Sequence, residues 1–85
     1  MRNEIIRNLK NRPFQAFAIV TDSGERIAIH HPENVAYDPE YETRCLYAIS
    51  GGVLHTIPWN KISSLGRVDT GEPLESDGKR LRESQ

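Results

Sequence analysis

Ahead of Phe14 the apolar positions of this chain follow a helical spacing, and from there to Val68 they follow a period of two. Met1, Ile5, Ile6 and Leu9 recur at intervals of four, one and three residues, which is one stripe of a helix, with Asn3, Arg7, Asn8 and Lys10 mostly on the opposite side. A helix this short is marginal alone, since isolated helices under ~12–15 residues rarely offset their nucleation. The stripe must therefore lie on the rest of the chain. Pro13 removes a donor and holds Arg12 extended, so the helix is expected to end near Asn11.

After the proline, Phe17 and Ile19 point one way and Ala16, Ala18 and Val20 the other, with Phe14 anchoring the entry. Asp22, Ser23 and Gly24 supply turn chemistry, and alternation resumes over 25–30 with Ile27 and Ile29 inward, giving a β-hairpin. His31-Pro32-Glu33-Asn34 interrupts the ladder, predicting a bend or a single helical turn, and Val35, Ala36 and Tyr37 continue the path briefly. Asp38, Pro39 and Glu40 read as a polar loop. The third strand, 44–50, has Cys45, Tyr47 and Ile49 on one face and Leu46 and Ala48 on the other, the mark of a central strand. Gly51-Gly52 turns the chain into 53–57, Pro58-Trp59-Asn60-Lys61 makes a one-turn connector, and 62–68 is a last short strand.

The expected fold is mainly β with one N-terminal helix: a small five-stranded, strongly bent antiparallel sheet or barrel over residues 1–68. From Asp69 the composition turns to Gly, Pro, Ser and charges, with only Leu74 and Leu81 apolar, so 69–85 is expected to be a flexible polar tail.

Composition narrows the function classes. Eighty-five residues with 36% apolar side chains suffice for one small core, domains that fold alone needing about 50 residues or more. The net charge of −1 provides no global positive field for nucleic acid or an anionic membrane, so such binding would be local. A single cysteine forms no internal disulfide and no secretory leader pattern opens the chain, which makes the cytoplasm the expected compartment. No apolar run approaches the ~20 residues of a membrane span.

The run Arg12-Pro13-Phe14-Gln15-Ala16-Phe17, the turn Asp22-Ser23-Gly24 and the segment His31-Pro32-Glu33-Asn34-Val35-Ala36 resemble a family of very short uncharacterised bacterial proteins. The pattern of that family is R-P-F-x-P-F, a D-G turn, then H-P-E-x-V-A; here Ala16 replaces the second proline and Ser23 precedes the glycine. The likeness covers the first half of the chain and, more loosely, 57–65. The order helix, hairpin, bent strand, hairpin, one-turn connector and short strand is also similar in topology to Sm-like and other SH3-like small barrels. The glycine and Asp-Asn signatures of Sm proteins and the Lys-His dipeptide of the bacterial Sm-like chaperone are absent, so no RNA-binding residue carries over.

Candidate chemistry is sparse. His30, His31, Glu33, His55 and Cys45 are metal-ligand types, but adjacent strand residues point to opposite faces and no closed ligand spacing occurs, so neither a metal nor a cofactor is expected. Pairing about Gly51-Gly52 sets residues near 47–49 opposite His55, so Cys45 lacks a base and reads as a buried, inert thiol. Ser50, Ser63 and Ser64 lack a nucleophile-elbow spacing. No catalysis is expected. Arg2, Arg7, Lys10 and Arg12 make the first dozen residues basic against Glu4 alone. Arg7, Lys10 and Arg12, with Tyr37 and Trp59 for stacking, are the candidate nucleic-acid contacts, set against an ordinary solvated helix face and a tryptophan lid on a small core.

An open sheet leaves unpaired backbone groups along its outer strands. The leading expectation is a non-enzymatic binding or regulatory module that forms a homo-oligomer and contacts a protein partner through a sheet edge, with Ile62, Leu65 and Val68 on the edge strand. The alternatives are an Sm-like protein that binds single-stranded RNA and an accessory subunit of a larger enzyme.

Overall fold

Arg2–Lys10 form helix α1, with Glu4 in the first turn and Arg7 and Lys10 in the last, signs that suit the helix dipole. Ile5 and Leu9, one turn apart, are buried on the same face. Burying each is worth roughly 1.5–3 kcal/mol, which fastens a helix too short to persist alone. At its end the Arg12 guanidinium donates to the carbonyls of Leu9 (3.0 Å) and Asn11 (2.6 Å), covering acceptors that a helix C-terminus leaves open. The following Arg12–Pro13 peptide bond is cis. The computed structural model describes residues 2–38, 44–70 and 72–74. Met1, most of the loop expected at 38–40 and the tail expected beyond Leu74 lie outside the described residues.

Among the described residues six strands follow: β1 (Phe17–Thr21), β2 (Arg26–Ile29), β3 (Val35–Ala36), β4 (Cys45–Ser50), β5 (Val53–Pro58) and β6 (Ile62–Gly66). They form two three-stranded antiparallel sheets, in the orders β2-β1-β6 and β3-β4-β5. The expectation of five strands is thus corrected to six, and no closed barrel forms. The cause sits at Pro32, which has no N–H and opens a 3-10 turn over Pro32–Asn34. That turn divides one expected bent strand into β2 and β3, which join different sheets.

Alternation delivers the core. Phe17 and Ile19 of β1, Ile27 and Ile29 of β2, Leu46 and Ala48 of β4, Ile57 of β5, and Ile62 and Leu65 of β6 pack with Ile5 and Leu9. Phe14 leans its ring on Phe17 at 6.1 Å between centroids. The sheets are tied by Ser50, whose hydroxyl donates to the carbonyl of Ala28 at 2.7 Å. Gly51 and Gly52, at φ 60° and 78°, occupy the positive-φ region that a two-residue hairpin turn requires of both central residues.

Beyond β6 the chain folds back. The Arg67 N–H donates to Glu72 O (2.8 Å), the Leu74 N–H donates to Leu65 O (2.9 Å), and Gly66 bridges Pro73. Leu74 packs against the core, so residues 72–74 belong to the folded body rather than to a free tail.

Candidate functional site: an open strand edge beside an apolar face

The β4–β5 hairpin pairs Ser50 with Val53, Ile49 with Leu54, Ala48 with His55, Tyr47 with Thr56 and Leu46 with Ile57. Leu46, Ala48 and Ile57 face the core, so Tyr47, Ile49, Leu54 and Thr56 face outward, joined by Ala36 of β3 opposite Tyr47. Tyr47, Ile49 and Leu54 are 46%, 51% and 64% exposed. Three large side chains on two paired strands make a patch rather than scattered singles.

The register also decides which backbone groups are free. In an antiparallel pair alternate residues direct N–H and C=O toward the partner. The two-residue turn assigns Val53, His55 and Ile57 to β4, and the Trp59 N–H continues the alternation by donating to Arg44 O at 2.9 Å. Leu54 and Thr56 therefore direct theirs away from β4, where among the described residues no strand lies beside β5. Pro58 adds a carbonyl there and no donor. The edge borders a groove of about 370 Å3 lined by Thr21, Asp22, Glu25, His55, Thr56 and Lys61. Across it His55 Nδ1 stands 3.8 Å from Glu25 Oε2.

The other edges are shorter or occupied. β3 has two residues. The β2 carbonyl of Ala28, on the side away from β1, is taken by Ser50. Of the residues expected on the self-association edge, Ile62 and Leu65 are buried in the core and Val68 lies past the end of β6. The outer side of β6 is bonded at Leu65 and Arg67 by residues 72–74.

Of the candidate nucleic-acid contacts, Arg7 and Lys10 are exposed on α1, while Arg12 turns back to Leu9 and Asn11. Tyr37 and Trp59 are half-buried against the core, and the cation over the Trp59 ring is Arg2, with Cζ 5.3 Å from the centroid. Cys45 is half-buried and pairs with Pro58, away from the His55 register position. Among the described residues no group of three or more His, Cys, Asp or Glu is placed to hold a metal ion, and no helix is long and apolar enough to cross a membrane.

Apolar groups on both faces of 44–50 point to a central strand, and β4 is one, between β3 and β5. That Tyr47, Ile49 and Leu54 stay exposed has no signal in the sequence, which does not single out Leu54. Compared with known proteins, the chain matches no family model, no curated protein and no solved structure.

Proposed function

We propose that this protein is a small non-enzymatic binding module that associates with a second copy of itself through the free edge of β5. The observation that supports this most is the open edge at Leu54 and Thr56, continuous with the exposed Tyr47 and Ile49. Natural edge strands are commonly guarded by charge, yet β5 reads Val-Leu-His-Thr-Ile-Pro, with no Lys, Arg, Asp or Glu. Two such edges do not repel each other, and antiparallel pairing about a twofold axis satisfies the same groups on both copies. The two apolar faces then join into one continuous strip. A partner protein supplying an extended segment would use the same edge.

The likeness of the element order to Sm-like barrels, and the RNA reading that goes with it, ranks second. It rests on the basic helix, and it weighs less because Arg12 is engaged locally and both candidate stacking rings are half-buried.

Sedimentation velocity across a dilution series from high to sub-micromolar concentration tests the proposal. Dimers are expected to give way to monomers on dilution. Thr56→Pro removes an outward N–H that β4 does not use, so the fold tolerates it while pairing is lost. Leu54→Lys places a charge on the edge with the same outcome. A wild-type chain that is monomeric throughout, or variants that associate as wild type does, would overturn the reading.

A further inference from the structure

Around Trp59 the fold collects positive charge from three distant parts of the sequence. The Trp59–Lys61 turn between β5 and β6, the start of α1 and the start of β4 enclose an open cleft of about 760 Å3, lined by Arg2, Arg44, Cys45, Trp59, Asn60 and Lys61 together with Pro58. Among the described residues that line it are three cations and no carboxylate, in a chain whose overall charge is −1. The ion pairs of His55 with Glu25 and of Arg67 with Asp69 involve none of these three cations.

Arg2 is held in place from two sides. Its Nη2 donates to the backbone carbonyl of Asp38 at 3.0 Å, and its guanidinium lies over the Trp59 ring. Held this way, Arg2 Nε and Trp59 Nε1 are buried N–H donors with no hydrogen-bond partner. Buried donors ordinarily have partners, so two orphans on adjoining residues of one cationic cleft mark a place short of acceptors. Neither donor is open to solvent as the side chains stand, so an oxyanion reaches them only with a shift of the Arg2 side chain; it then supplies both negative charge and acceptor oxygens.

We propose that this cleft binds a phosphate group, inorganic or carried by a nucleotide. Three cations around one space exceed what a single carboxylate neutralises. A phosphate brings up to two charges and three strong acceptor oxygens. Arg44 and Lys61 supply charge from the rim, Asn60 a neutral amide donor, and Arg2 a guanidinium already oriented by Trp59. The cleft shares Pro58 and Lys61 with the groove along β5, but neither Leu54 nor Thr56 lines it.

Trp59 is the only tryptophan in the chain, so emission excited selectively through the indole, beyond the absorption of the three tyrosines, reports on this cleft. The full chain is titrated with sodium phosphate, with adenosine monophosphate, and with sodium chloride at matched ionic strength. A saturable emission change with phosphate and none with chloride is expected. Arg2 packs on the reporter itself, so the variants are the exposed Lys61→Ala and Arg44→Ala, each expected to weaken binding about fivefold. Arg7→Ala, on the solvent side of α1, serves as control and is expected to change nothing. Tighter binding of adenosine monophosphate would assign part of the site to the nucleoside, and equal binding would assign all of it to phosphate; both support the proposal. No saturable response beyond that to chloride, or an Arg7 variant weakened as much as the Lys61 variant, would overturn it in favour of diffuse surface charge.

Discussion

The two sheets share one core and differ on the sides that face away from it. In β2-β1-β6 the outward register positions are Ala28, Ala18 and Gly66, then Arg26, Val20 and Ser64. In β3-β4-β5 they are Ala36, Tyr47 and Thr56, then Ile49 and Leu54. On that side of the first sheet Ala18 and Gly66 are buried, Ala28, Val20 and Ser64 half-buried and only Arg26 exposed, and residues 72–74 close the outer edge of β6. The second leaves large apolar side chains in water beside an unpaired strand. Inward packing is the same in kind on both, so it says nothing about where a partner docks. The outer faces and edges are where they differ, and on the proposed reading binding falls to the second sheet and closure to the first.

Two leucines of the second sheet test this contrast most sharply, because they are the same residue type on opposite faces. Leu46 is fully buried and Leu54 is among the most exposed large side chains. Leu46→Ala is expected to cost about 2–5 kcal/mol, a large part of the stability of so small a domain. Leu54→Ala is expected to stay within about 0.5 kcal/mol in urea unfolding at concentrations where the chain is monomeric. The same Leu54 variant should weaken self-association at higher concentration. Equal losses of stability at the two positions would erase the distinction between the faces.

Much of this fold is legible in the sequence because the pleat enforces a period of two regardless of context. Ile27, Ile29, Leu46 and Ile57 are all buried where alternation points them inward. Pro32, Gly51-Gly52 and Pro58 mark the turns because each restricts the backbone locally. What depends on distant pairing is not legible. The division of one path into β2 and β3 rests on Val35 and Ala36 finding Ala48 and Tyr47, for which no local signal exists. Apolar residues on both faces of β4 report hydrophobicity without reporting whether a second layer covers them. The closing of β6 hangs on Leu74, a lone apolar residue in a polar run. The basic residues singled out were neighbours in sequence, whereas the cleft at Trp59 gathers Arg2, Arg44 and Lys61 from separate elements.

The closed edge of the first sheet provides the next test. Leu74 is half-buried, and its N–H donates to Leu65 O while Glu72 accepts from Arg67. Leu74→Ser should cost roughly 1–2 kcal/mol, less than a full core truncation, and should release the 72–74 segment from β6. Hydrogen exchange separates the edges directly. In the dilute wild-type chain the Arg67 amide is expected to be protected and the Leu54 and Thr56 amides to exchange fast; in Leu74→Ser the Arg67 amide should join the fast class. Protection of Arg67 that survives the substitution would mean that residues 72–74 do not close this edge.

The smallest expected effect lies where the two sheets meet. Ser50 ends β4, and its hydroxyl donates to a carbonyl of β2 that the β1 ladder leaves free. Ser50→Ala removes that donor and leaves Ala28 O without its partner. The site is only half-buried, so water replaces part of the loss, and the cost should be about 0.5–1.5 kcal/mol. Ser50→Thr retains a hydroxyl and should recover most of it. The urea m-value should not change, because the same surface is exposed on unfolding. Self-association should not change either, since the link faces the first sheet and the β5 edge faces away. A Ser50→Ala chain that loses its dimer as Leu54→Lys does would show that joining the sheets sets the geometry of the open edge, and the two regions would then have to be treated as one coupled unit.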